Sequence, residues 1–381
     1  MTKYTKWVAC WGNSTSITDR KECTYAKDLT LRYPIRMCFS GSKLRFRFSN
    51  LTGTESVTLT KVSVARIGMG EWTPLRVLFK GKDSVSIAAG TEVQSDNLEM
   101  DITAGETIAI SIYLGEFTQM NAGTLITGPL SKGKYSYGDF VDREDLPLNL
   151  SRNTNWFFFL NTIDILTEDR NRALICYGDS ITAQSWPDYL SLRCWDEGFR
   201  NVSIVRRAVS GTRVLRQYDC ITYQAYGLKG ETRFPIEMNV AGAEAVIIQH
   251  GINDIIHPVG VENNPFRPWS DMPDCQALID GFKKFYLPRA KAMGLKVHSG
   301  TLLPIEGWRT YSPMREELRN EFNEWLRNAP EFDGCVDFDL ALRDGRHPSA
   351  FAPGFDSGDH LHPSESAYKA MADCVPADLL A

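Results

Sequence analysis

From about residue 169 onward, short apolar runs alternate with helix-like stretches, and this alternation constrains the fold more than any other feature of the chain. Residues 173–177, 203–209, 245–249, 296–302 and 334–338 read as buried strands, and 187–197, 275–293 and 313–328 read as helices. Fully apolar strands separated by helices imply a parallel sheet covered on both faces, hence an α/β fold. Such sheets bind ligands beyond the carboxyl ends of their strands, so residues just after each run carry most of the information about function.

The first part follows a different pattern. Leu44-Arg-Phe-Arg-Phe48 alternates apolar and polar side chains with period two, and residues 57–65 and 107–114 repeat it. Turn signals rich in Gly, Asn and Asp separate these runs, which points to an all-β sandwich or jelly roll over residues 1–168. Residues 156–166 read as its last strand. The charged stretch 168–172 is the expected link, so the division is 1–168 followed by 169–381.

The formal net charge of −5 and the lack of any Lys/Arg-rich run argue against nucleic acid or an anionic membrane as a standing partner. No stretch approaches the length needed to span a bilayer. The first residues show neither a signal-like apolar run nor a small-residue cleavage site, so the expected location is cytoplasmic. The nine cysteines are scattered without a Cys-x-x-Cys pair, which favours free thiols over disulfides or zinc.

Four short motifs carry the chemistry. Tyr177-Gly-Asp-Ser-Ile-Thr182 follows the first α/β strand. A serine hydroxyl there could be a nucleophile if a base removes its proton, although Asp-Ser also suits a helix N-cap. Ala208-Val-Ser-Gly-Thr212 follows the second strand, where Gly211 would let a backbone N–H approach an oxyanion, or would simply be a turn glycine. Gln249-His-Gly-Ile-Asn-Asp254 follows the third, and the Asn253 amide is a second candidate donor. His250 and His257 beside it read as structural. Near the end, Asp356-Ser-Gly-Asp-His-Leu-His-Pro-Ser364 offers His362 as base and Asp359 as its carboxylate. Asp356 and His360 have the same chemistry outside that pattern, and the cluster lacks the spacing of a metal site.

In this order the motifs resemble blocks I, II, III and V of the SGNH (GDSL-like) hydrolases: Gly-Asp-Ser, Gly, Gly-x-Asn-Asp and Asp-x-x-His. The resemblance covers roughly residues 169–381. It implies a flavodoxin-like sheet, no cofactor, and an acyl-enzyme intermediate on Ser180, with His362 as base and Asp359 orienting it. It also implies an oxyanion hole from the Ser180 N–H, the Gly211 N–H and the Asn253 amide. Residues 40–50 and the strand-rich stretch after them look like the β-sandwich that precedes some bacterial SGNH esterases.

Members of that family include carbohydrate acetylesterases, lipases, thioesterases and arylesterases. No long apolar lid segment lies near the motifs, which disfavours a long-chain lipase. Trp72, Trp186, Trp269 and Trp308 could stack on sugar rings or pack in cores. The expected substrate is therefore a short acyl ester, acetyl above all, of a carbohydrate. A non-catalytic carbohydrate-binding protein is the rival class, and it would carry a broken triad. Acyl length, the alcohol part and self-association are left open.

Overall fold

The computed structural model describes residues 4–16, 24–68, 70–218 and 226–381. Five parallel strands form the sheet of the second part: Val202–Ala208, Arg172–Gly178, Ala243–Gln249, Lys296–Gly300 and Gly334–Val336, in that spatial order. In chain order this is 2-1-3-4-5, the flavodoxin-like arrangement, whose order reverses between the first and third strands. The apolar runs form these strands because both faces are covered: Leu174, Ile175, Cys176, Val246, Ile247 and Ile248 are all buried. Ser180 follows the first strand and Asn253 the third, so both lie at the switch point where such sheets bind ligands.

The expected helix 313–328 is present as Pro313–Asn328, started by Ser312, whose hydroxyl caps the Arg315 N–H. The expected helix 275–293 is less regular. Cys275–Gly281 and Leu287–Ala292 are α-helical, and Phe282–Tyr286 between them is a π-helix. Pro288 explains the wider turn: it has no N–H to donate and its ring crowds the carbonyl four residues back.

The first part is rich in antiparallel strands. One sheet orders Lys6–Gly12, Leu160–Thr167, Gly41–Ser49 and Leu98–Ile102, with Glu92–Gln94 also paired to Gly41–Ser49. A second orders Ser151–Thr154, Gly133–Tyr137, Leu29–Arg36, Thr107–Leu114, Lys61–Arg66 and Leu75–Arg76, and smaller two-stranded sheets include Gly123–Leu125 with Trp156–Phe158. The single last strand expected at 156–166 is instead two, Trp156–Phe158 and Leu160–Thr167. Phe159 breaks it with φ +63°, donating its N–H to Ala122 O and accepting from Ser49 N, so the chain passes from one sheet to another.

The two parts share one buried hydrophobic cluster that includes Val8, Ile163, Val202 and Val205. Two consecutive arginines of strand Val202–Ala208 tie them together. Arg207 is fully buried and donates to Asn13 O, to Asn161 O at 3.1 Å and to Thr162 Oγ1 at 2.7 Å. Burial lowers its pKa to about 10. Arg206 pairs with Asp188 at 2.8 Å and reaches Ser131 Oγ at 3.0 Å. The seven cysteines among the described residues are free thiols, and Cys23 and Cys220 lie outside them. No helix of the described residues is long and apolar enough to cross a membrane.

Candidate active site

Ser180 opens the four-residue helix Ser180–Ala183 directly after strand Arg172–Gly178. Asp179 is its N-cap, accepting from the Ile181 N–H at 3.1 Å. The N-cap reading and the nucleophile reading of Gly-Asp-Ser thus coexist: the aspartate builds the turn that presents the serine. Burial pushes the Asp179 carboxyl up to about 7. First-turn N–H groups have no partner within the helix, which leaves the Ser180 N–H for a ligand.

Ser180 Oγ lies 2.8 Å from His362 Nε2. The other ring nitrogen, Nδ1, lies 2.7 Å from Asp359 Oδ2. With Nδ1–H donated to the carboxylate, Nε2 is left as an acceptor for the serine proton. The other Asp359 oxygen, Oδ1, accepts from the backbone N–H of His362 at 2.8 Å and of Leu361 at 3.0 Å. Burial alone would raise the Asp359 pKa, but these hydrogen bonds, first of all the one from His362, hold it below its ordinary value.

The loop carrying the histidine is fastened at both ends. Ser364 caps the next helix, Glu365–Asp373, and donates to Gly354 O at 2.7 Å. Glu365 accepts from Ser185 Oγ at 2.8 Å and Tyr189 Oη at 3.0 Å, which ties this loop to the segment after Ser180. Asp356 and His360 form their own pair at 2.5 Å, and Asp356 Oδ1 accepts from the Gly358 and His360 N–H groups. This second pair shapes the loop, while His362 alone of the two imidazoles meets Ser180.

The second and third motifs grip each other. Asn253 is buried and donates its amide to Thr212 O at 3.0 Å, which fixes its orientation and leaves one amide hydrogen for a ligand. Asp254 accepts from the Val214 and Leu215 N–H groups at 2.7 and 3.0 Å. Burial raises its pKa to about 6. His250 is buried against Thr212 and lies 2.8 Å from Tyr286 Oη through Nδ1, and burial drives its pKa well below the ordinary imidazole value. His257 is likewise buried, its pKa lowered first by burial and then by Arg267 and Arg213. Gly211 adopts φ +79°, and a Cβ there would fall 2.2 Å from the Tyr226 ring, so this turn requires glycine on both counts.

Sequence reasoning passed over Arg233. It is buried on helix Gly230–Glu237, donates to Gly178 O at 2.7 Å, and lies over the Tyr177 ring. It braces the strand end from which Ser180 projects. Of the four tryptophans, Trp186 is core, packed on Phe338, and Trp72 lies over Arg32 in the antiparallel part. Among the described residues no group of three or more His, Cys, Asp and Glu side chains could hold a metal ion.

A model of the GDSL-like lipase/acylhydrolase family matches residues 176–370, slightly more than half of the chain. The chain belongs to the GDSL-like lipase/acylhydrolase family. The matched range of this GDSL-family chain begins in strand Arg172–Gly178 and ends beyond the histidine loop, so it contains all four motifs. Among curated proteins, none matches it. Among solved structures, it is similar to a GDSL-like lipase from Bacteroides thetaiotaomicron, at 18% identity over 55% of this chain and 87% of the other, with a TM-score of 0.35. It is also similar to a Geobacillus acetyl-xylooligosaccharide esterase, at 18% identity over 53% of this chain and 91% of the other, with a TM-score of 0.39.

Proposed function

We propose that this acylhydrolase is a serine esterase that removes short acyl groups, acetyl above all, from carbohydrate alcohols. The observation that carries the reading is the chain of contacts from Ser180 Oγ through His362 to Asp359, at 2.8 and 2.7 Å. Ser180 Oγ attacks the ester carbonyl carbon while its proton passes to His362 Nε2. The carbonyl oxygen becomes an oxyanion facing the Ser180 N–H, the Gly211 N–H and the Asn253 amide. Collapse of the tetrahedral intermediate breaks the bond to the alcohol oxygen, which takes the proton from His362. A water then attacks the acyl-serine, gives its proton to His362, and the acid leaves as Ser180 regains its hydrogen. No step calls for a metal or cofactor.

The short-acyl preference rests on the lack of a long apolar lid segment near the motifs. We take residues 1–168 and 169–381 as two units, with the first walling the alcohol side of the cleft. The Thr127 N–H bonded to Ala183 O at 3.2 Å supports this, because Ala183 ends the helix that Ser180 begins. Rates on acetyl, butyryl and octanoyl nitrophenyl esters, beside acetylated oligosaccharides, test the proposal. Falling rates with acyl length and turnover of the acetylated sugar are expected. Preference for octanoyl esters would overturn the short-acyl reading.

A further inference from the structure

Ser180 and His362 sit on segments far apart in the chain, and few bonds hold one segment to the other. Among the described residues, no backbone hydrogen bond joins residues 180–196 to residues 354–381. Apart from the contact of Ser180 with His362, the side-chain hydrogen bonds between them run through Arg193 and Glu365. These two grips lie at opposite ends of helix Glu365–Asp373. At the far end Arg193 donates to Ala372 O, Asp373 O and Val375 O at 2.9, 3.1 and 2.7 Å. At the near end, just after His362, both oxygens of Glu365 are engaged. Oε1 accepts from Ser185 Oγ at 2.8 Å and Oε2 from Tyr189 Oη at 3.0 Å. Ser185 is fully buried and is the N-cap of helix Trp186–Asp196, so the near grip reaches rigid structure.

Between the grips the helix rests on its apolar face, where Ala367, Tyr368, Met371 and Ala372 are buried. Apolar burial is non-directional, so it keeps the helix on the core without fixing its tilt. A helix of this length runs about 13 Å, so a tilt of about 5° about the Arg193 end moves the Glu365 end by about 1 Å. His362 would move with it, because the loop is closed on itself and joined to the helix. The Ser357 N–H donates to His362 O at 3.0 Å, the Ser364 N–H donates to Phe355 O at 2.8 Å, and Ser364 caps the helix. Asp359 lies in the same loop, so its bond orients the imidazole ring without placing the loop against Ser180. A misplacement of about 1 Å at reacting groups costs about 10²-fold in rate. The near grip therefore carries a share of catalysis that the triad contacts do not supply themselves.

We infer that Glu365 is a positioning residue: by holding Ser185 and Tyr189 it sets the separation of His362 Nε2 from Ser180 Oγ, and with it the rate of proton transfer. The inference rests on the esterase reading and adds to it a residue outside the triad and the oxyanion donors. Glu365→Ala in the full chain is expected to lower kcat on nitrophenyl acetate by about 10- to 100-fold with KM within about twofold, and to slow fluorophosphonate labelling of Ser180 in proportion. Its fold should persist by circular dichroism and urea unfolding, since Glu365 is exposed. Glu365→Gln places an oxygen and an amide where the two carboxylate oxygens were, and a hydroxyl can donate to the one or accept from the other. This variant should therefore recover kcat to within about fivefold of wild type. Ser185→Ala and Tyr189→Phe each remove one hydroxyl and should each lower kcat by about three- to tenfold, but neither should lower it further in Glu365→Ala. Glu365→Ala turnover within about twofold of wild type, Glu365→Gln as slow as Glu365→Ala, or effects that add in the double variants would overturn the inference while the esterase reading stands. Absence of nitrophenyl acetate turnover in wild type would overturn the esterase reading, and this inference with it.

Discussion

Replacing Asp359 by asparagine separates the two tasks of this carboxylate. The Oδ1 of an asparagine can still accept from the Leu361 and His362 backbone N–H groups, which lie 3.0 and 2.8 Å from that atom, so the loop keeps its shape. The other terminus becomes an NH₂ facing His362 Nδ1 across 2.7 Å, where two donors oppose each other. The ring relieves this by moving its proton to Nε2, which then faces Ser180 Oγ at 2.8 Å and cannot accept the serine hydrogen. The same exchange in the worked Ser-His-Asp triad drops kcat by about 10⁴ through the wrong tautomer. The Asp359 side chain is 43% exposed, and water can compete for Nδ1, so a loss of about 10³ to 10⁴ in kcat is expected, about 4–5 kcal/mol of barrier. His362→Ala should cost more, because no base remains. Stopped assays on nitrophenyl acetate, with circular dichroism to verify the fold, measure both. Asp359→Asn activity within about tenfold of wild type, or greater damage from His360→Ala than from His362→Ala, would refute the orienting role.

Two further substitutions probe the loops that hold the site. Asp179 has its folded-state pKa raised to about 7, so between pH 4 and 7 the native chain holds a proton that the unfolded chain releases, and stability falls as pH rises. Asp179→Asn keeps the cap acceptor and loses this dependence; by urea unfolding, its stability relative to wild type should rise by about 2–3 kcal/mol from pH 5 to pH 8. No change in that difference would show that the carboxyl is not held protonated. Gly211→Ala places a methyl group 2.2 Å from Tyr226 at φ +79°, and should cost at least about 1–2 kcal/mol of stability and lower kcat more than it raises KM. An unperturbed kcat would remove Gly211 from the oxyanion site. Exhaustive chelation should leave the rate unchanged, and a dependence on added metal would contradict the metal-free mechanism.

The sheet was legible because its strands are buried on both faces and read as continuous apolar runs, as in Ala245-Val-Ile-Ile-Gln249. The positions of the first three motifs followed, since each sits where a strand must end, while the fourth lies in the loop before helix Glu365–Asp373. Tertiary contacts were not legible. Nothing local marks Arg206 and Arg207 as the arginines that join the two parts, because their acceptors lie as far away in sequence as Asn13 and Asn161. The sequence assigned the Asp254 carboxylate no role, and its acceptance from the Val214 and Leu215 N–H groups shows only in the structure. The break at Phe159 was hidden because the aromatic residues before it and Leu160, Thr162 and Ile163 after it favour a strand, while the sheet-to-sheet crossing that forces φ +63° is a property of the fold. Asp356 and His360 could be set aside from spacing, but their mutual pairing required the loop geometry.

Covalent capture of the nucleophile tests the central claim most directly. A fluorophosphonate reacts only with a serine whose proton has an acceptor, and peptide mapping locates the adduct. The account predicts one adduct, on Ser180, that forms in step with loss of nitrophenyl acetate hydrolysis and is absent from Ser180→Ala, which should itself keep no more than a few per cent of wild-type activity. An adduct on another residue, or a Ser180→Ala variant that still hydrolyses the ester at near wild-type rate, would contradict it.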